Sequence, residues 1–263
     1  MFDIMRVTFK SIIRDRVFHG IIMVAVVLPL VPAISPLSMR QVTELSITLS
    51  LSLVSFVLLL LAVFLGGTSL WKDMERRYSF SVLSLPIARG HYLLGKFLGV
   101  ALFLMITTMF LGTVALLVVW FTAGGYPPDR PVSWNNLLLA VFYDALKYIL
   151  LVAVAMLLST VSTSFFLPLF GTISAYFVGN ASQQVYDYVH SPAGKVLSKF
   201  VRDTASALYY VVPNFSAFNL KVNAIYGLPI SQDGMILTLF YFLIYVAILL
   251  SLATVIFSQR ELK

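Results

Sequence analysis

One aspartate stands well inside an apolar stretch of this chain: Asp144, followed one helical turn later by Lys147, in the run from Leu137 to Leu158. Residues three apart share a helix face, so the two can pair with each other. A charge held at mid-bilayer depth costs roughly 2.5–3.5 kcal/mol. One role that would justify this is contact with a cation, a proton or a substrate in a central pathway. Two plainer placements remain open, an ion pair closed inside a helix bundle or a site near the outer headgroups, since only a short part of the run precedes Asp144.

Other reactive chemistry is thin. The chain has 0 cysteines, which excludes disulfides, thiolate metal sites and cysteine nucleophiles. His19, His91 and His190 are far apart, so no metal site is expected from them. No G-x-x-x-x-G-K-[ST] loop is present, and Gly95-Lys96 lacks the upstream glycine at the required offset, so no nucleotide is hydrolysed by that route. Neither H-E-x-x-H nor G-x-S-x-G occurs, and the paired acids of an intramembrane protease are missing. The chain is not expected to be an enzyme. Asn180-Ala181-Ser182 and Asn214-Phe215-Ser216 match a glycosylation tripeptide that arises often by chance.

The elements that must hold these residues are written in hydropathy. Of 263 residues, 60% are hydrophobic and 11% charged, with mean hydropathy +0.94. Soluble domains carry about 25% charged residues, so this is an all-α integral membrane protein. Six spans are expected: about Val17–Leu37, Leu45–Leu70, Tyr92–Thr122, Leu137–Leu158, Phe165–Gly179 and Met235–Phe257. Before them, Phe2, Met5, Phe9, Ile12 and Ile13 recur at helical spacing opposite Asp3, Arg6, Lys10 and Arg14. That pattern predicts a retained interfacial elbow helix over 1–16 rather than a cleaved signal. Ser46, Ser50 and Leu53 share a stripe on the second span, suited to a dimer seam or to lining a cavity.

The stretch 180–234 is too long for a simple outer turn. Val196, Leu197, Phe200, Val201, Ala205 and Leu208 mark one helical face, against Lys195, Lys199, Arg202, Asp203 and Ser206 on another. One or two outer interfacial or re-entrant helices are expected here. The whole chain reads as one membrane domain, 1–263.

Charge is unevenly placed. Net charge is +7, and most of the 18 Lys and Arg lie in the N-terminal segment, the loop after the second span and the C-terminal tail. By the positive-inside tendency these belong in the cytoplasm, as do both termini. The excess reads as an orientation signal, not a nucleic-acid footprint. The loop Trp71–Gly99, WKDMERRYSFSVLSLPIARGHYLLGKFLG, carries Lys72, Arg76, Arg77, Arg89, His91 and Lys96 between two apolar runs. Its middle reads as a short amphipathic helix stopped at Pro86, suited to docking on something else.

Within it Glu75, Ser79, Leu83-Ser84, Pro86, Arg89 and Leu94-Gly95-Lys96 form a spaced set that resembles the permeases of type-2 ABC exporters. Tyr78 departs from that pattern, which often has Gly there. The likeness extends to the elbow helix, the six spans, the outer helices before the last span and the tail Phe257…Arg260-Glu261-Leu262. It implies that 71–91 contains a cytoplasmic coupling helix seated in a cleft of a separate ATPase subunit, present in two copies, which holds ATP and magnesium. It also implies a second permease copy or a related permease, in the inner (plasma) membrane. The coupling residues would be Glu75, Arg76, Arg77, Tyr78, Ser79, Phe80, Val82, Leu83, Pro86 and Arg89, with arginines for acidic partner groups and an apolar anchor between them. A membrane anchor that recruits a cytoplasmic protein through the same loop, without transport, is the alternative. Tyr209, Tyr210, Phe215, Phe218 and Tyr226 suit a lipid or amphiphile as cargo, but an aromatic belt has the same look.

Overall fold

The computed structural model describes residues 2–14, 27, 30, 34, 41–75, 89–126, 128 and 130–259. The expected first span, 17–37, therefore lies outside the described residues apart from isolated positions. The described helices are α1 (Phe2–Ile13), α2 (Val42–Glu75), α3 (Arg89–Gly125), α4 (Trp134–Val161), α5 (Phe166–His190), α6 (Lys199–Val211), α7 (Lys221–Tyr226) and α8 (Gln232–Gln259). Short 3-10 turns at Pro192–Val196 and Phe215–Phe218 join the last of them. Among the described residues, α2, α3, α4 and α8 are long and apolar enough to cross a membrane.

Helix α4 is the hub. It packs on α2, α3, α5, α7 and α8, and Leu150, Leu151, Val152 and Ala153 in its middle are wholly enclosed. Apolar burial contributes little between helices in lipid, so close approach and interhelical hydrogen bonds set the packing. A Cβ added at Gly66 of α2 would sit 2.9 Å from Ala155 Cβ and 3.3 Å from Val152 Cα of α4. Beside that contact, Ser159 Oγ donates to the Gly67 carbonyl at 3.0 Å.

Cross-helix contacts fix the sense of each rod. Thr43 Oγ1 at the start of α2 donates to the Tyr126 carbonyl beyond the end of α3, and Ser46 meets Thr122. Helices α2 and α3 are thus antiparallel, so Glu75 and Arg89, which flank the segment 76–88, lie toward the same end of the bundle, here called the proximal end. Helix α8 also finishes there, with Gly90 of α3 against Thr254. Helix α5 runs alongside α4 in the opposite sense, from Gly171 against Leu158 to Tyr176 against Tyr148.

Three sequence expectations are revised. The fifth helix runs past Gly179 to His190, because its polar end Ser182–His190 packs on α6 and the turn at 192–196 instead of turning away. In α1, Thr8 and Ile12 form the buried face while Phe2 and Ile13 are exposed. The helix docks on α3 where Gly99 admits Thr8, and a Cβ on Gly99 would lie 2.8 Å from Thr8 Cβ. Finally, Ser46 and Ser50 are fully buried inside the chain, facing away from any seam.

Candidate functional site

Asp144 and Lys147 form an ion pair on α4. They are 6% and 3% exposed, which closes them within the bundle. Asp144 lies about 15 Å along α4 from Trp134, in a helix of about 42 Å, so the pair sits near mid-length. The face that carries them turns toward α2, where Ser55 Oγ donates to Asp144 Oδ1 at 3.2 Å. Ser55 Oγ and Tyr148 Oη share a further hydrogen bond of 2.7 Å. With Ser55 donating to the carboxylate, the Tyr148 hydroxyl is its donor in turn. Lys147 Nζ rests 4.5 Å from the centroid of the Tyr148 ring, a cation–π contact. The pair's Oδ1 is shared between Lys147 and Ser55, and the Tyr148 ring adds a contact to the ammonium, interactions that offset part of the cost of burying the two charges.

The network extends sideways. Tyr148 stacks on Tyr176 of α5 with ring centroids 6.1 Å apart, and Tyr176 meets Phe215 at 6.3 Å. Phe215 and Phe218 are wholly buried, and Phe218 lies 6.2 Å from the Tyr241 ring of α8. Asn214 Oδ1 accepts from the Ser216 amide at 3.1 Å and shapes this turn. Asn214 is itself buried and bonded through Nδ2 to Gln183 at 2.8 Å, which leaves its glycosylation tripeptide inaccessible.

A third charged residue lies on the short distal helix α7. Helix α7 packs on α4 and α2. It is anchored by Asn136, whose Nδ2 donates to the Asn223 carbonyl at 3.1 Å and the Leu228 carbonyl at 2.9 Å. Gly227, at φ 63°, ends it in the left-handed conformation that glycine adopts without penalty. Lys221 begins α7 and is half-buried. Burial holds its ammonium below the ordinary lysine range, Asp144 offsets part of that, and Lys147 adds to it. Sequence reasoning missed Lys221, although it is the only charged residue between Asp203 and Asp233.

The outer segment divides in two. The turn 215–218 and α7 insert against the bundle, whereas α6 has no buried residue. Its apolar face at Phe200, Val201 and Leu208 is exposed, as is Val196 before it.

At the proximal end, Arg76, Arg77, Tyr78, Ser79, Phe80, Val82, Leu83 and Pro86 lie outside the described residues. Glu75 closes α2 and Arg89 opens α3. Arg89 Nη1 donates to the Ser258 carbonyl at 2.9 Å and to the Phe257 carbonyl at 3.4 Å. It satisfies carbonyls that the end of α8 leaves without an intrahelical donor. Tyr92 stacks on Phe257 at 6.3 Å. At its other end α8 is held by Tyr143 Oη donating to the Met235 carbonyl, 2.9 Å, and by the Asn214 amide donating to Tyr241 Oη, 2.7 Å. Between these ties Leu243, Ile244 and Ile248 are exposed. His91 and His190 are exposed and remote from the polar core.

A family model described as ABC-2 family transporter protein matches residues 3–262. No curated protein matches the sequence.

Proposed function

As a member of the ABC-2 transporter family, this chain is a membrane permease component of an ABC transporter, and we propose that it serves an exporter driven through residues 71–91 by a separate ATP-hydrolysing subunit. The observation that carries this reading is the family match over 3–262. Geometry at the proximal end supports it. In sequence the segment 76–88 joins α2 to α3, which pack on α4 and on each other, and Arg89 at the start of α3 bonds to the end of α8. Force applied to that segment would reach three of the four long apolar helices directly.

In this reading Arg76, Arg77 and Arg89 form a charged rim for the ATPase cleft, and Phe80, Val82, Leu83 and Leu85 form its apolar anchor, stopped by Pro86. ATP and magnesium belong to the partner. Two ATPase copies and two permeases, this chain paired with itself or a relative, would rock between inward- and outward-facing arrangements. The cation bias puts the proximal end and both termini in the cytoplasm of a cell whose inner membrane houses the complex. The segment 213–226 re-enters from the outer face, whereas α6 lies along it.

The test is co-expression with an ABC ATPase subunit from the same genome, followed by ATP hydrolysis and transport assays on the purified complex. Glu75→Ala combined with Arg77→Ala is expected to uncouple or weaken both. An ATPase that binds while deletion of 76–88 leaves the complex and hydrolysis unchanged, with no transport in either form, would favour the anchor reading. Absence of any ATPase from the purified chain would sink the exporter reading.

A further inference from the structure

Helix α5 lies at membrane depth with polar groups on its outer face. It runs beside α4, and Tyr176 stacks on Tyr148, about 21 Å along α4 from Trp134 and so near its mid-length. Ser174 and Gln184 fall within about 12 Å of that level, inside the roughly 15 Å half-thickness of a hydrocarbon core. Both are exposed, and neither side chain hydrogen-bonds to a described residue. In composition α5 also falls short of the described helices apolar enough to cross. The other outward faces differ. Every exposed position of α8 between Ile236 and Ile248, and of α3 between Leu102 and Phe110, is apolar. Those faces suit hydrocarbon. A free carboxamide and hydroxyl on α5 do not, because lipid tails offer them no partner.

The exposed positions of α5 include a periodic stripe. Phe170, Ser174, Phe177, Ala181, Gln184 and Tyr188 are all exposed and follow one another at alternating steps of four and three. A repeat of 3.5 residues is the spacing of the seam between two left-handed, supercoiled helices. Small Ser174 and Ala181 alternate with larger Phe177 and Gln184, so two backbones can approach while the larger side chains fill the space beside them. The opposite face of α5 is already occupied, with Thr172, Gly179 and Ser182 buried against their own chain.

We infer that this stripe is the seam on which a second copy of the chain packs. The occupant is a copy because the stripe is complementary to itself. Two copies share one orientation in the membrane, so their two-fold axis stands along the membrane normal. Helix α5 then meets its counterpart in parallel, with each seam position near its own equivalent. A carboxamide carries both donors and an acceptor, and a hydroxyl carries one of each kind, so the two copies of Gln184, and of Ser174, satisfy each other. Hydrocarbon cannot do this. That the seam serves transport rests on the exporter reading; that two copies meet there does not, and it is measured without the ATPase.

The chain has 0 cysteines, so a single introduced thiol reports alone. Ser174→Cys, Ala181→Cys and Gln184→Cys are made in the full chain, with Ile106→Cys on α3 and Ile248→Cys on α8 as exposed controls. Each is oxidised with copper phenanthroline in membranes that lack the ATPase. A disulfide needs Cβ atoms about 4 Å apart, so covalent dimers are expected from the three α5 variants and monomers from the two controls. Ala181→Trp changes a position that the single chain leaves exposed. It is expected to convert the purified chain from dimer to monomer in native mass spectrometry, whereas Ala181→Ser keeps the dimer. Dimers from I106C or I248C with none from α5, or an A181W chain that stays dimeric, would overturn the seam. So would rapid labelling of Q184C by a membrane-impermeant maleimide with no cross-link at S174C or A181C, which would make the stripe a wet surface. Cross-links along α5 in a chain that captures no ATPase would leave the seam standing and remove only the exporter reading.

Discussion

Arg89 Nη1 lies 2.9 Å from the carbonyl oxygen of Ser258, 169 positions away in sequence. This single side chain joins the start of α3 to the end of α8. Arg89→Ala removes a charged donor from two backbone acceptors and is expected to lower stability by about 1–2 kcal/mol, with Arg89→Lys intermediate. Thermal unfolding of the detergent-purified chain measures both. An unchanged midpoint in R89A would show that the bond is replaced by solvent.

Breaking the ion pair on one side should do more harm than removing it whole. Asp144→Asn leaves Lys147 buried without its counter-ion and is expected to cost about 3–5 kcal/mol. The double change Asp144→Leu with Lys147→Met removes both charges and should recover part of that loss. Chemical unfolding of Asp144→Leu, Lys147→Met and the double variant gives the cycle. Strictly additive losses would contradict the enclosure described for the pair.

The seat of α1 on α3 depends on the missing side chain at Gly99. A Cβ there meets Thr8 Cβ at 2.8 Å and the Met5 carbonyl at 3.0 Å. Gly99→Leu is expected to cost about 1–3 kcal/mol through overpacking and to lift α1 from the bundle. Limited proteolysis near Arg6 and Lys10 reads the displacement, and a wild-type cleavage pattern would contradict the docking.

The long rods were legible because hydropathy alone sets them: the expected runs 45–70, 92–122, 137–158 and 235–257 each fall inside an observed helix. Which way a rod faces was harder to read. Ser46 and Ser50 offered a small-residue stripe equally fit for a partner or for the interior, and only the packing of α2 on α3 and α4 decides it. Tyr148 and Tyr176 look like belt aromatics in sequence, since a tyrosine at mid-span is told from one at an interface only by what its hydroxyl meets. Lys221 carried a signal in its isolation, yet the seat of its helix α7 on α4 and α2 is a long-range packing that no local pattern encodes. The segment 76–88 is the reverse case, rich in motif and outside the described residues.

Helix α8 has 28 residues and is tied near both tips, by Tyr143 and Asn214 at one and by Arg89 and Tyr92 at the other, with exposed Leu243, Ile244 and Ile248 between. Its side chains there can change with little penalty, but its count of residues cannot. One residue inserted in that stretch advances the far tip by about 1.5 Å and rotates it by about 100°, so Phe257 and Tyr241 can no longer both find their partners. Helix α8 is a gauge: tolerant at its exposed positions and fixed in length and phase.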